Sequence, residues 1–267
     1  MSYRPSPRPT FEGPTAIRAD DAVRHVWGDE ESGFVRDRIY VSSGLLHALV
    51  FELSPGEGFR HSESFRTVFA ADELLHVLRG TLVLANPETG EVVRAEPGES
   101  VFFRRDTWHH GFSYGEEELR VLELFAPPPA TGASGAYART RPYLSESRYT
   151  TAGPIATPSL RLVRPADAAW RLDSGVLVGV LVGTEYLTAG TIRVLSGAAS
   201  VEESHAGDEL VYVTSGSLKV VAGGVEATLR RDDAFYVPAG VEHRYEAAGS
   251  EAAEAIFGVA PEYRPAS

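Results

Sequence analysis

Not one of the 267 residues is a cysteine, so disulfides, thiolate nucleophiles and cysteine-ligated zinc are excluded from the start. Cations are in deficit: 25 Lys and Arg face 37 Asp and Glu, a formal charge of −12. That balance argues against a nucleic-acid surface or an anionic membrane, both of which attract clustered Lys and Arg. No helix-turn-helix pattern is apparent. No apolar run approaches the roughly 20 residues of a membrane-spanning helix. The opening stretch Met1-Ser2-Tyr3-Arg4-Pro5 lacks the apolar centre of a signal peptide. The expectation is a soluble cytoplasmic protein with neither nucleic acid nor membrane as partner. Helical periodicity is scarce, which leaves strands.

What is present is a repeat. Asp72-Glu73-Leu74-Leu75-His76-Val77-Leu78-Arg79-Gly80 returns as Asp208-Glu209-Leu210-Val211-Tyr212-Val213-Thr214-Ser215-Gly216. Downstream of each copy a histidine follows a hydrophobic strand: His109 after Phe102-Phe103, His243 after Tyr236-Val237. The offsets nearly agree, so the chain reads as a duplicated domain. Its length suits two cores of about 100–150 residues, and 43% hydrophobic residues suit a globular protein. What repeats is a carboxylate and a histidine on separate strands, the raw material of a metal site.

Short apolar runs punctuated by Gly and Pro predict strands within residues 39–53, 74–84, 91–94, 100–103 and 120–125. A second series falls within 176–181, 186–195, 209–221, 225–230, 234–237 and 255–259. This rhythm describes an antiparallel sandwich or barrel, an all-β fold. Residues 1–22, rich in Pro and Arg, read as an N-terminal arm; 23–127 as the first domain; 128–160 as a linker with a short helix near 136–141; 161–267 as the second domain.

Both halves resemble cupin domains, so the chain is identified as a bicupin. The cupin pattern runs G-x5-H-x-H-x3,4-E-x6-G, then G-x5-P-x-G-x2-H-x3-N. The second half carries Gly197, Glu203, His205, Glu209 and Gly216, then Pro238, Gly240 and His243. Glu203 stands where the first histidine belongs, Asp232 replaces a glycine and Ala247 the final asparagine. The first half keeps Glu73, Gly80, Gly98 and His109, but Arg104, Asp106 and Ser113 replace Pro, Gly and Asn. The resemblance implies two tandem jelly-roll barrels.

Strand geometry gives the motif a reading of its own. Residues i and i+2 share a face, so Glu203 and His205 aim together. Glu209 follows on the next strand, and barrel closure brings in His243. Two imidazoles and two carboxylates suit a divalent ion, Fe, Mn, Ni or Zn, and do not choose among them. The alternative is a degenerate barrel whose polar residues are only hydrogen-bonded. In the first half, His61, Glu63, Glu73 and His109 offer a second 2-His-2-Glu set, although Glu63 and Glu73 are further apart than the pattern has them. His76 and His110 fall on the opposite strand face and read as structural. Tyr245, at i+2 from His243, faces the cavity as a proton donor or a core tyrosine.

The resemblance implies a metal-dependent enzyme acting on a small organic molecule, with a dioxygenase-type oxidoreductase as the leading expectation. Glu209 would stay bound to the ion or act as a base. The alternatives are a non-redox isomerase, cyclase or hydrolase similar to the ureidoglycine aminohydrolases, and a non-enzymatic binding cupin. A homodimer is expected.

Overall fold

The computed structural model describes residues 6–129, 135–150, 153, 155–261 and 263. The chain forms two compact units. The first comprises Val23–Ile39 and Leu49–Arg164; the second comprises Arg8–Ala22, Tyr40–Ala48 and the described chain from Pro165 on.

A seven-stranded sheet, drawn mostly from the first unit, runs in the order Arg161–Val163, Ser100–Phe103, Asp72–Arg79, Leu119–Ala126, His47–Leu53, Gly33–Ser42 and Val23–Asp29. A four-stranded sheet orders Gly58–Phe59, His110–Ser113, Leu82–Asn86 and Glu91–Ala95. Leu75, Val77, Val101, Phe103 and Val121 from the larger sheet share one core with Phe59, Leu82, Leu84 and Ala95 of the smaller. Strand alternation fixes what else points inward: Glu73 shares a face with Leu75 and Val77, and Glu123 lies between Val121 and Phe125.

The second unit repeats the plan. Its seven-stranded sheet orders Thr15–Ile17, Ala234–Val237, Asp208–Ser215, Ala253–Ala260, Thr188–Val194, Val176–Gly183 and Ala169–Asp173. A three-stranded sheet orders Val225–Arg230, Ser217–Ala222 and His243–Ala247. Val211, Val213, Phe235 and Phe257 meet Leu218, Val220 and Tyr245 in its core. Glu209 has the parity of Val211 and Val213 and is buried with them.

The turns explain the departures from the glycine pattern. Gly80 and Gly216 take φ of 74° and 70°, and a Cβ there would sit 2.9 and 2.3 Å from the carbonyls of Glu118 and Ala252. Asp106 and Asp232, at positions where the pattern has glycine, take φ of 69° and 71°. Aspartate is among the few residues that tolerate this left-handed backbone.

The packing departs from the expected boundaries at two places. Thr15–Ile17, read from sequence as part of an arm, is a strand paired with Ala234–Val237 of the second unit, with Ile17 buried. Arg18 secures it through Asp233 at 2.8 Å. Its three residues were too short a run to stand out among Pro and Arg. Arg161–Val163, placed in the second domain, pairs with Ser100–Phe103 of the first unit. The expected short helix is present at Ala136–Arg139. Residues 1–5 of the arm and 130–134, 151, 152 and 154 of the linker lie outside the described residues. Among the described residues no helix is long and apolar enough to cross a membrane.

Candidate metal centre

In the second unit the loop before Asp208–Ser215 delivers Glu203 and His205 alongside the turn that leads into His243–Ala247. Glu203 and His243 exchange backbone hydrogen bonds at 3.0 and 2.9 Å, and Gly240 N–H donates to the His205 carbonyl at 2.7 Å. Asp208 Oδ1 accepts the Ala239 N–H at 3.0 Å, fixing the same turn from the other side. The backbone thus holds the side chains of three segments together.

Glu203, His205 and His243 each offer a ligand atom within 4.8 Å of the others. Glu209 Oε2 lies 3.3 Å from His205 Nε2 and 3.0 Å from His243 Nε2. His205, Glu209 and His243 are buried. Yet His205 Nε2, His243 Nε2 and Glu209 Oε2 have no hydrogen-bond partner. These atoms are close to one another without meeting hydrogen-bond geometry, as ligands around one ion are. His243 Nδ1 lies 3.0 Å from the Val241 carbonyl, so the neutral imidazole, the form a metal binds, carries its proton on Nδ1 and its lone pair on Nε2. Ligand atoms about 2.0–2.2 Å from one ion sit roughly 3–4 Å apart, and the two measured separations fall in that range. These residues fit a divalent ion.

Without an ion, the same groups pair electrostatically. Burial alone would raise Glu209, but the fields and contacts of His243 and His205 outweigh it and hold the carboxyl at about 2. Burial would lower His243, but Glu209 outweighs it and lifts the imidazole to about 9. Tyr245 is buried, its hydroxyl has no partner, and burial followed by Glu209 and Glu203 pushes its ionisation well up. Two residues that sequence reasoning did not single out complete the rim. Tyr263 O–H donates to Glu203 Oε2 at 2.9 Å, and Arg171 Nη2 reaches the same oxygen at 3.4 Å. The Tyr263 ring lies 4.3 Å from the His205 ring. Neither residue is in the motif; Arg171 is in an exposed edge strand and Tyr263 follows the last strand.

The first unit breaks up its expected set. His61 Nδ1 lies 2.7 Å from His110 Nε2, and its Nε2 lies 2.7 Å from the Leu144 carbonyl. Glu63 is exposed on the following turn. Neither joins Glu73 and His109. The backbone shows why: His109 N–H donates to Thr67 O and Asp106 N–H to Phe69 O, the bonds that His243 and Gly240 make to Glu203 and His205. Thr67 and Phe69 therefore occupy the two upstream ligand positions, and the extra length between Glu63 and Glu73 carries His61 away. His110 also meets the Tyr149 hydroxyl at 2.9 Å, and His76 meets Ser100 Oγ at 2.9 Å. Glu73 and His109 gather instead with Glu123, all three buried.

Residues 49–125 and 190–259 match the family described as Cupin domain. Over 123 residues the chain is 30% identical to tetracenomycin polyketide synthase protein TcmJ of Streptomyces glaucescens, covering 46% of this chain and 80% of the relative. In three dimensions it resembles a deletion mutant of Bacillus subtilis oxalate decarboxylase, with a TM-score of 0.68 at 15% identity, over 96% of this chain and 79% of the other. Lactobacillus farciminis oxalate decarboxylase, solved as a formate complex, gives 0.67 at 14% identity, over 97% and 89%. At these identities the structural likenesses establish the fold.

Proposed function

The chain belongs to the cupin family, with two of its domains in tandem, and on that premise we propose that the second unit is a metal-dependent catalytic barrel for a small organic molecule. One observation carries this: His205 Nε2, His243 Nε2 and Glu209 Oε2 are buried, mutually close and unbonded. Two imidazoles and one carboxylate form the donor set of non-haem Fe(II) oxygenases, which supports a dioxygenase-type oxidoreductase. When bound, such an ion supplies open positions where O2 and substrate are brought together.

The chain's own residues do the rest. Glu209 supplies the negative charge that balances an ion held with the two imidazoles. Tyr245 keeps its hydroxyl proton and faces His243 at 5.4 Å between rings, so it can donate to a substrate oxygen. Arg171 and Tyr263 hold Glu203 at the rim, and the partly exposed guanidinium suits an anionic oxygen on the substrate. The likeness to TcmJ supports polyketides as the first compounds to test.

A second reading has its own support. If Glu203 binds as a fourth ligand, fewer positions stay open, which favours Mn, Zn or Ni acting as a Lewis acid in an isomerase, cyclase or hydrolase. A homodimer is also proposed, with exposed Trp170 and Leu172 on the edge strand Ala169–Asp173 as the surface; sedimentation tests it.

Metal analysis of natively purified protein, beside His205→Ala and His243→Ala, tests the reading. Both variants are expected to lose the second-unit ion and turnover together. Metal content and activity unchanged in both would overturn it.

A further inference from the structure

We propose that the first unit carries a cation site of its own, made by Glu73, His109 and Glu123, which takes a harder divalent ion than the second. Glu123 lies outside the cupin pattern. It comes from the strand Leu119–Ala126, where register sets it opposite Leu75, and the corresponding place in the second unit, opposite Val211, is Phe257. Conversely, Phe69 fills the place His205 has in the second unit. An aromatic and a ligand have changed places, so the first barrel loses an imidazole and gains a carboxylate from a new direction.

Glu73, His109 and Glu123 are all buried and each offers a ligand atom within 4.8 Å of the others. Glu73 Oε2 is 3.8 Å from His109 Nε2, too long for a hydrogen bond and within the roughly 3–4 Å that separates neighbouring ligands of one ion. Glu73 Oε2 is fully enclosed and has no partner. A buried acceptor left unpaired is destabilising, more so if charged, so a strand that keeps it there needs a compensating group. His109 Nδ1 faces the Thr107 carbonyl at 3.2 Å, which leaves the lone pair on Nε2, as in His243. Phe59, Phe69 and Phe103 wall the imidazole in. Inside such an apolar shell the attraction between a cation and two carboxylates is far stronger than in water.

Two carboxylates around one divalent ion balance its charge. One nitrogen and two carboxylate donors suit Mn(II) better than the two-imidazole set of the second unit does.

The test is Mn(II) uptake by the full chain, stripped with chelator, reloaded, and measured by equilibrium dialysis with elemental analysis. Thermal melting confirms that each variant is folded. Glu123→Gln is nearly isosteric, and His109→Gln keeps a polar group of similar size. Wild type is expected to bind about two Mn(II) per chain. Glu123→Gln and His109→Gln should each lose one of them, and His243→Ala the other. No ion in wild type, or an ion content undisturbed by Glu123→Gln and His109→Gln, overturns the first-unit site; a single ion that Glu123→Gln removes and His243→Ala spares upholds it. Two ions cut to one by Glu123→Gln but untouched by His243→Ala would uphold it and contradict the second-unit reading instead.

Discussion

Glu209 Oε2 and His243 Nε2 lie 3.0 Å apart in a closed interior, yet neither atom is the other's hydrogen-bond partner. Desolvated ions that merely neutralised one another would align, because misalignment forfeits most of the bond. An ion held by both atoms accounts for their proximity without a hydrogen bond. Glu209→Gln removes a charge and half the donor capacity while keeping shape. Metal affinity is expected to fall more than about 100-fold, measured by competition with a chelating dye.

The same pair sets a pH dependence in metal-free protein. Glu209 is held down at about 2 against an ordinary 4.5, so its contribution is present above 4.5 and lost as pH falls through 2. His243 is raised to about 9 from 6.5, so its contribution is present below 6.5 and lost as pH rises through 9. Wild type is expected to gain most over Glu209→Gln between about 4.5 and 6.5. The difference between the two melting curves isolates the pair, since burial raises Glu73 and Glu123 well above the usual carboxylate range and so favours acid pH in both proteins alike. With metal the alkaline trend reverses, because coordination needs neutral imidazole: affinity should rise with pH toward 9. A difference curve flat across pH would refute the pairing.

Tyr245→Phe separates packing from chemistry. The hydroxyl is buried without a partner, so removing it is expected to leave stability within about 1 kcal/mol of wild type or slightly above. If Tyr245 supplies a proton, turnover falls roughly 10²–10⁴-fold with metal content unchanged. Full activity would return Tyr245 to the role of a core side chain.

Tyr263→Phe and Arg171→Gln release Glu203 from the rim. Outer partners of a ligand commonly tune metal affinity about 10–100-fold, and a loss of that size is expected in the double variant. Its melting temperature should barely move, since the Arg171–Glu203 pair is partly exposed.

The barrels were legible because their inner strands are short, largely apolar runs between Gly and Pro turns, as Asp208–Ser215 and Ala253–Ala260 are, buried along nearly their whole length. Edge strands were not. Ala169–Asp173 is exposed along nearly its whole length and carries no buried face to set a pattern. Val23–Asp29 is partly polar on both faces for the same reason. The second-unit residues Glu203, His205, Glu209 and His243 were legible because the motif and strand parity agree there. In the first unit they disagreed: His61 looked like the motif histidine, but backbone bonds hand its place to Thr67 and Phe69. Glu123 could have been found from parity alone, as a carboxylate between Val121 and Phe125 on an inward face. Tyr263 and Arg171 leave no such trace, because they reach Glu203 from segments that spacing does not connect to the motif.

The most direct measurement is a crystal structure of natively purified protein with anomalous data collected above and below the edge of the metal found by elemental analysis. A peak about 2.0–2.3 Å from His205 Nε2, His243 Nε2 and Glu209 Oε2 is expected. No peak there, with Glu209 turned into an aligned hydrogen bond to His243, would leave only the fold standing.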